Sequence, residues 1–255
     1  MEWTDLLSMF FRWVHIIAGI LWIGHLYWFN FVNIPFAATM DADTKKKVVP
    51  ELIPRALWWF RMQAALTWVT GLLLLGFVFY MGKQMFPDQM QSWTTGGYVM
   101  LAVTFLLFPI YDFAAKSALG KDNKQFAALS FVVVVAVVYL YSHWAGFGYR
   151  AYNIHLGAMF GTLMAANVWM VIWPGQQKVI PAIKAGTPPD AAIVAKVGQR
   201  SRHNTYMSLP LVWAMINAHT VAIGEENWYY LPVAVLVGWL VCVRFYKFAG
   251  NLKGM

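Results

Sequence analysis

Of the 255 residues, 60% are hydrophobic, 17% aromatic and only 12% charged. A soluble domain carries about 25% charge, so most of this surface must meet something other than water. The net charge of +8 comes from short basic segments between apolar runs, not from a helix face with interleaved aromatics, which excludes a nucleic-acid binder and predicts contact with a lipid bilayer.

The N-terminus does not read as a cleavable signal, because Glu2 and Asp5 precede the first apolar run and that run exceeds a signal core of about 7 to 15 residues. A bilayer crossing needs about 20 mainly apolar residues, and about seven such spans are expected in one all-α membrane domain, residues 1–255. The first, Leu6–Phe31, holds His15 beside Ala18 and Gly19, with His25 ten residues on. That separation is about 15 Å along a helix, too far for both to serve one iron. The segment Asn33–Leu57 contains Pro35, Pro50 and Pro54, and is expected to form turns and a short interfacial helix.

The second span is Trp58–Met81, and the third is Tyr98–Ala115, with Asp112 near its end, where it is expected to pair with Arg61 or Lys116. The fourth, Phe126–His143, ends on a histidine. In the fifth, Tyr152–Trp173, His155 is followed by Gly157, Ala158 and Gly161, small enough to let a flat ring approach the backbone, and then by Asn167. The next segment, Pro174–Tyr206, contains Pro181, Pro188 and Pro189. A surface-lying helix is expected over Asp190–Arg202, with Ile193, Val194 and Val197 on one side and Lys196, Arg200 and Arg202 elsewhere. The sixth span, Met207–Ile223, carries Asn217 and His219, and the seventh is Trp228–Phe248. Asn167 and Asn217 are expected to bridge helices. Trp and Tyr mark several span ends, as at interfacial belts.

Sixteen Lys and Arg fall in the segments after spans one, three and five, at the C-terminal end, or within a turn of these, against three on the other side, so the N-terminus is expected outside and the C-terminus in the cytoplasm, as in a bacterial inner membrane. His155-Leu-Gly-Ala followed by Asn167 echoes His15-Ile-Ile-Ala-Gly followed by Asn30, which suggests four helices and then three related as parallel repeats.

Ionisable groups inside spans mark functional sites. On this topology His15, His143, His155 and His219 lie in the outer layer from four different helices, while His25 and His203 lie toward the inner face. One or two non-covalent b-type haems suit that layering, because facing helices can offer axial imidazoles at one depth. His15, His155, His143, His219 and His25 are the candidate ligands. A zinc or copper site drawn from His15, His155, His143, His219 and His203 is the rival reading. The lone Cys242 leaves no Cys-x-x-Cys-His for covalent haem. For an anionic substrate the candidates are Arg55, Arg61, Arg150, Arg200 and Arg202. No residue is singled out for the chemical step.

The run from Arg12-Trp-Val-His-Ile-Ile-Ala-Gly through Trp-Ile-Gly-His-Leu-Tyr-Trp-Phe-Asn-Phe-Val-Asn33, with Arg200-Ser-Arg-His-Asn-Thr-Tyr-Met-Ser-Leu-Pro210 and Asn217-Ala-His219, resembles the membrane domain of the cytochrome-c-coupled urate hydroxylase family. A shorter likeness in span one, His then Trp-x-Gly, is to the small haem-binding membrane protoporphyrinogen oxidases. The first resemblance implies oxidation of urate to 5-hydroxyisourate, with electrons passed to a cytochrome c domain that follows a further helix. This sequence ends at Met255 without that helix or domain, so the expected acceptor is a separate cytochrome c or respiratory partner. The alternative is a non-catalytic haem-carrying electron-transfer subunit of a respiratory complex. A transporter is less favoured, because the spans hold few carboxylates.

Overall fold

A computed structural model describes residues 3–87, 92–218 and 227–252, and all regular structure among them is helical. The elements are α1 (Trp3–Tyr27), α2 (Ile34–Thr39), α3 (Ala42–Leu74), α4 (Thr95–Leu106), α5 (Phe108–Lys116), α6 (Ala118–Lys121), α7 (Asn123–His143), α8 (Tyr149–Asn167), α9 (Trp173–Ala185), α10 (Ala191–Asn217) and α11 (Tyr230–Asn251). Three wider π-helical segments, Trp28–Asn33, Leu75–Met81 and Val168–Ile172, link α1 to α2, extend α3 and link α8 to α9.

Among the described residues five helices are long and apolar enough to cross a membrane: Trp3–Thr39, Ala42–Met81, Asn123–His143, Tyr149–Ala185 and Tyr230–Asn251. The pair α4 and α5 makes a sixth if its 51° bend is taken as one broken span. The expected third span is therefore not straight. Pro109 stands at the start of α5, where it removes an N–H and crowds the carbonyl of Phe105 one turn back. The expected sixth span is helical through Asn217, the end of α10, and its part from His219 on lies outside the described residues.

Two expected irregular segments are largely helix instead. Of Asn33–Leu57, α2 is the short helix foreseen, but α3 begins at Ala42 and runs through Pro50 and Pro54. The two prolines stand one turn apart on one face, so the lost bonds fall on a single side and the rest of the ladder continues. With its π extension this helix has 40 residues. At about 1.5 Å each it spans about 60 Å, twice a hydrocarbon core of roughly 30 Å. Likewise the stretch Asp190–Arg202 is not a separate surface helix but the first half of α10, with Val197 and Arg200 both buried. Asp41 and Asp190 cap the helices that follow them: Asp41 Oδ1 accepts from Thr44 N–H at 2.8 Å and Asp190 Oδ1 from Ala192 N–H at 2.8 Å.

The chain forms two compact units, the first of Met1–Leu73, Met164–Ser208 and Leu240–Met255 and the second of Leu74–Leu163 and Leu209–Trp239. In the first, Trp22, Leu26, Phe60 and Ala64 are core residues, while Phe10, Trp13, Ile16 and Ile20 of α1 stand exposed, an apolar face suited to lipid rather than water. In the second, Gly157 and Gly161 bring α8 against α10. A Cβ on Gly157 would lie 3.1 Å from both Ala214 Cβ and Met215 Cε, and one on Gly161 would lie 3.4 Å from Leu211 Cδ1. These small residues serve helix packing, as the close approach of two backbones requires, and α10 already fills the surface expected to admit a flat ring.

Candidate functional site

His155 of α8 is fully buried in the second unit. Its Nδ1 lies 2.7 Å from the carbonyl oxygen of Ala151. A carbonyl only accepts, so the neutral ring carries its proton on Nδ1 and offers a lone pair at Nε2. Tyr80, in the π extension of α3, sits with its hydroxyl 3.0 Å from that Nε2 and must donate to it. The rings of Phe79, Tyr80, Tyr141 and Phe147 surround the imidazole at centroid distances of 6.3, 5.9, 6.3 and 5.4 Å. Tyr141 is fully buried too, and its hydroxyl stands 2.7 Å from that of Thr104. Thr104 spends its own proton on the Met100 carbonyl at 2.8 Å, so Tyr141 donates to Thr104.

The same tautomer recurs at three other histidines. His15 Nδ1 is 2.9 Å from the Thr67 carbonyl and 3.1 Å from Thr70 Oγ1, both on α3. His25 Nδ1 is 2.7 Å from Leu21 O, and His143 Nδ1 is 3.1 Å from Tyr139 O. Such an anchor fixes ring orientation and raises the basicity of Nε2, the arrangement seen behind metal-ligating imidazoles. For an iron ligand, His15 fits best: it is half-buried, tied to a second helix, and its Nε2 has no hydrogen-bond partner among the described residues. Gly71 makes room for it, since a Cβ there would come within 3.1 Å of His15 Cε1. His155 has the right tautomer, but Tyr80 holds the lone pair an iron would take. His143 is exposed and stacked on Tyr139 at 4.2 Å, with Trp228 edge-on at 6.1 Å, a membrane-belt setting. His15 belongs to the first unit and His155 to the second, and each has its own partners. Among the described residues no three of His, Cys, Asp and Glu group as a metal site.

The first unit holds a buried polar network. Along α10, Arg200, Asn204 and Ser208 recur every four residues on one face, and all three are fully buried. Asn204 Oδ1 accepts from Asn167 Nδ2 of α8 at 2.9 Å, while Asn204 Nδ2 donates to Met164 O at 3.1 Å. Asn167 thus bridges helices as expected. Asn30 donates to Leu26 O and to Ser201 Oγ, each at 2.9 Å, and accepts from the Tyr246 hydroxyl at 2.9 Å. Ser208 donates to Thr205 O at 2.7 Å, leaving its oxygen to accept from Tyr27 at 3.0 Å. A guanidinium keeps its proton under any ordinary condition, so burying Arg200 costs several kcal/mol unless acceptors or an anion answer its charge.

Arg61 of α3 lies over the Trp173 ring at 3.9 Å and near Trp169 at 5.6 Å, and its Nε is buried with no hydrogen-bond partner among the described residues. The other candidate arginines stand differently. Arg55 is exposed and pairs with Glu51 at 3.1 Å. Arg202 is exposed. Arg150 donates through Nε to Ala218 O at 2.9 Å, at the end of α10. Asp112 pairs with Lys116, one turn on, one of the two partners expected. Asn217 donates to Trp213 O of its own helix at 3.1 Å.

His203, which precedes the expected sixth span, is held down at about 3 by burial first and then by the neighbouring charges of Arg200 and Arg202. It stays neutral across the physiological range.

Sequence reasoning missed Tyr80, Asn204, Ser208, Tyr27 and Tyr246, and marked Asn30 only as the counterpart of Asn167 in the repeat. The four-residue spacing of Arg200, Asn204 and Ser208 was the signal that could have marked one face of a helix.

The sequence model of one protein family, described as urate oxidase N-terminal, matches residues 40–253. Comparisons with curated proteins and with solved structures gave no match.

Proposed function

The chain belongs to the urate oxidase N-terminal family, and on that premise we propose that it is a membrane oxidoreductase which oxidises urate or a similar purine anion and passes the electrons to a separate c-type cytochrome. The observation that carries this reading is the fully buried Arg200 on α10, one turn from the buried carboxamide of Asn204. A guanidinium offers paired donors to a planar oxyanion, and the Asn204 carboxamide, tied to Asn167 and to Met164 O, holds this face of α10 in place. Arg61, over the Trp173 ring, is a second cation of the same unit. In the reaction one water adds to urate to give 5-hydroxyisourate, while two protons and two electrons leave, the electrons reaching the cytochrome one at a time.

A b-type haem supplies one-electron steps when bound, and His15 would hold it through Nε2. Thr67 and Thr70 orient that imidazole. Seven spans, an N-terminus outside and a cytoplasmic C-terminus in a bacterial inner membrane complete the reading. The order long helix, π segment, short helix beginning Ile34-Pro35 or Trp173-Pro174, Asp cap and long helix occurs twice, which supports the parallel repeat.

Membranes containing the chain should reduce added cytochrome c when urate is supplied, with loss of the urate ultraviolet band. Arg200→Gln removes a charge-assisted contact of about 1.5–3 kcal/mol, so KM should rise on the order of ten- to hundredfold. No turnover with any purine and a competent cytochrome c refutes the enzyme reading, and co-purification with respiratory subunits would then favour the relay.

A further inference from the structure

The second unit contains a phenol whose proton has a single defined destination. Four side chains crowd His155, yet only Tyr80 addresses its free nitrogen, at 3.0 Å, and the opposite nitrogen is locked by Ala151 O at 2.7 Å. Removing one electron from a phenol in apolar surroundings leaves a strongly acidic cation, which is costly unless a base stands within hydrogen-bond distance. Tyr80 has such a base. Tyr141, in the same box, has among the described residues only the Thr104 hydroxyl, which cannot hold an extra proton in that setting.

We propose that Tyr80 and His155 form a redox-active phenol–imidazole pair, in which one-electron oxidation of Tyr80 moves its proton to His155 Nε2. The Tyr80 O–H bond breaks and an N–H bond forms at Nε2. The electron goes to a high-potential one-electron metal oxidant, the class to which ruthenium(III) trisbipyridine belongs. The pair ends as a neutral phenoxyl radical beside an imidazolium that keeps its Nδ1–H on Ala151 O, and re-reduction returns both electron and proton.

A path of rings leads away from the pair. Trp93 lies 6.2 Å from Tyr80 and stacks on Tyr98 at 5.3 Å, and Tyr98 is 61% exposed. An electron leaving Tyr80 therefore has an aromatic route to the surface within this unit. This role occupies the nitrogen an iron would need, so His155 serves as proton acceptor and not as axial ligand. The inference rests on the oxidoreductase reading for its purpose but not for its test.

The test needs neither urate nor cytochrome c. The full chain in detergent is oxidised by flash-quenched ruthenium(III) trisbipyridine and followed by electron paramagnetic resonance. We expect a neutral tyrosyl signal that survives Tyr141→Phe and is lost in Tyr80→Phe. It should also be lost in His155→Gln, which can accept a hydrogen bond but cannot carry the proton, and its formation should slow in D2O. A tyrosyl signal unchanged by Tyr80→Phe, or unchanged by His155→Gln, overturns the proposal. Should either variant fail to fold, the wild-type rate decides: formation no slower in D2O also overturns it. Loss of any b-type haem band in His155→Gln, with the radical retained, would return His155 to iron ligation. Failure of urate turnover alone leaves the pair untouched, and failure of the radical assay leaves turnover untouched.

Discussion

Replacing Asn204 by Ala removes two hydrogen bonds at once, the one accepted from Asn167 at 2.9 Å and the one donated to Met164 O at 3.1 Å. Each partner lies in a fully enclosed part of the first unit, where water does not replace the lost contact. A buried polar group stripped of a partner costs about 1–3 kcal/mol in a soluble core, but inter-helix hydrogen bonds in membrane proteins average nearer 0.6. The two stripped groups here are a carboxamide N–H and a backbone carbonyl, neither of them charged, so the lower part of the range governs. The expected loss is about 1–2 kcal/mol. A double-mutant cycle with Asn167→Ala isolates the bridge, and a coupling of about 0.5–1.5 kcal/mol is expected. Unfolding in mixed micelles, followed by circular dichroism, measures it. Strict additivity of the two substitutions would refute the bridge between α8 and α10.

Gly71→Ala should displace the His15 ring and shift the spectrum of any bound b-type haem, whereas Gly24→Ala, whose Cβ would meet nothing within 4 Å, should leave it unchanged. Arg61→Leu should cost about 0.5–2 kcal/mol through loss of the contact with Trp173, visible as a change in tryptophan emission. The hydrogen bonds from Thr44 hold the Asp41 carboxyl below the ordinary range. Its capping contribution is therefore complete above the unfolded carboxylate pKa and is lost as pH falls through the lowered folded one, which a fall in the protection of the Thr44 amide, measured against its intrinsic exchange rate at each pH, should reveal. A tag in the segment 83–94 should be reachable from outside, and a reporter after Met255 should be cytoplasmic.

Long apolar runs made the helices legible, because a bilayer leaves the backbone few alternatives to helix. Their ends were less so. Prolines at 50 and 54 read as turns because local chemistry says so, yet the flanking ladder carries α3 through them. Arg200 reads as a loop arginine, since a tally of positive charge cannot tell a solvated residue from a fully buried one. Tyr80 was indistinguishable from eleven other tyrosines. Its meaning comes from a partner 75 residues away, and Asn30 meets Tyr246 across 216.

The π segments Trp28–Asn33 and Val168–Ile172 each behave as one extra residue threaded into an α-helix. One residue is worth about 100° of rotation, so everything beyond such a turn is aimed differently from what an uninterrupted helix would give. Deleting a single residue from Trp28–Asn33 or Val168–Ile172 would let the turn tighten to the α form and swing Asn30 or Trp169 off its partners, with no change in the length of apolar sequence. A one-residue deletion inside either segment is therefore a change of aim rather than a trimmed end, and it would redirect the inward-facing side chains of the rest of the helix.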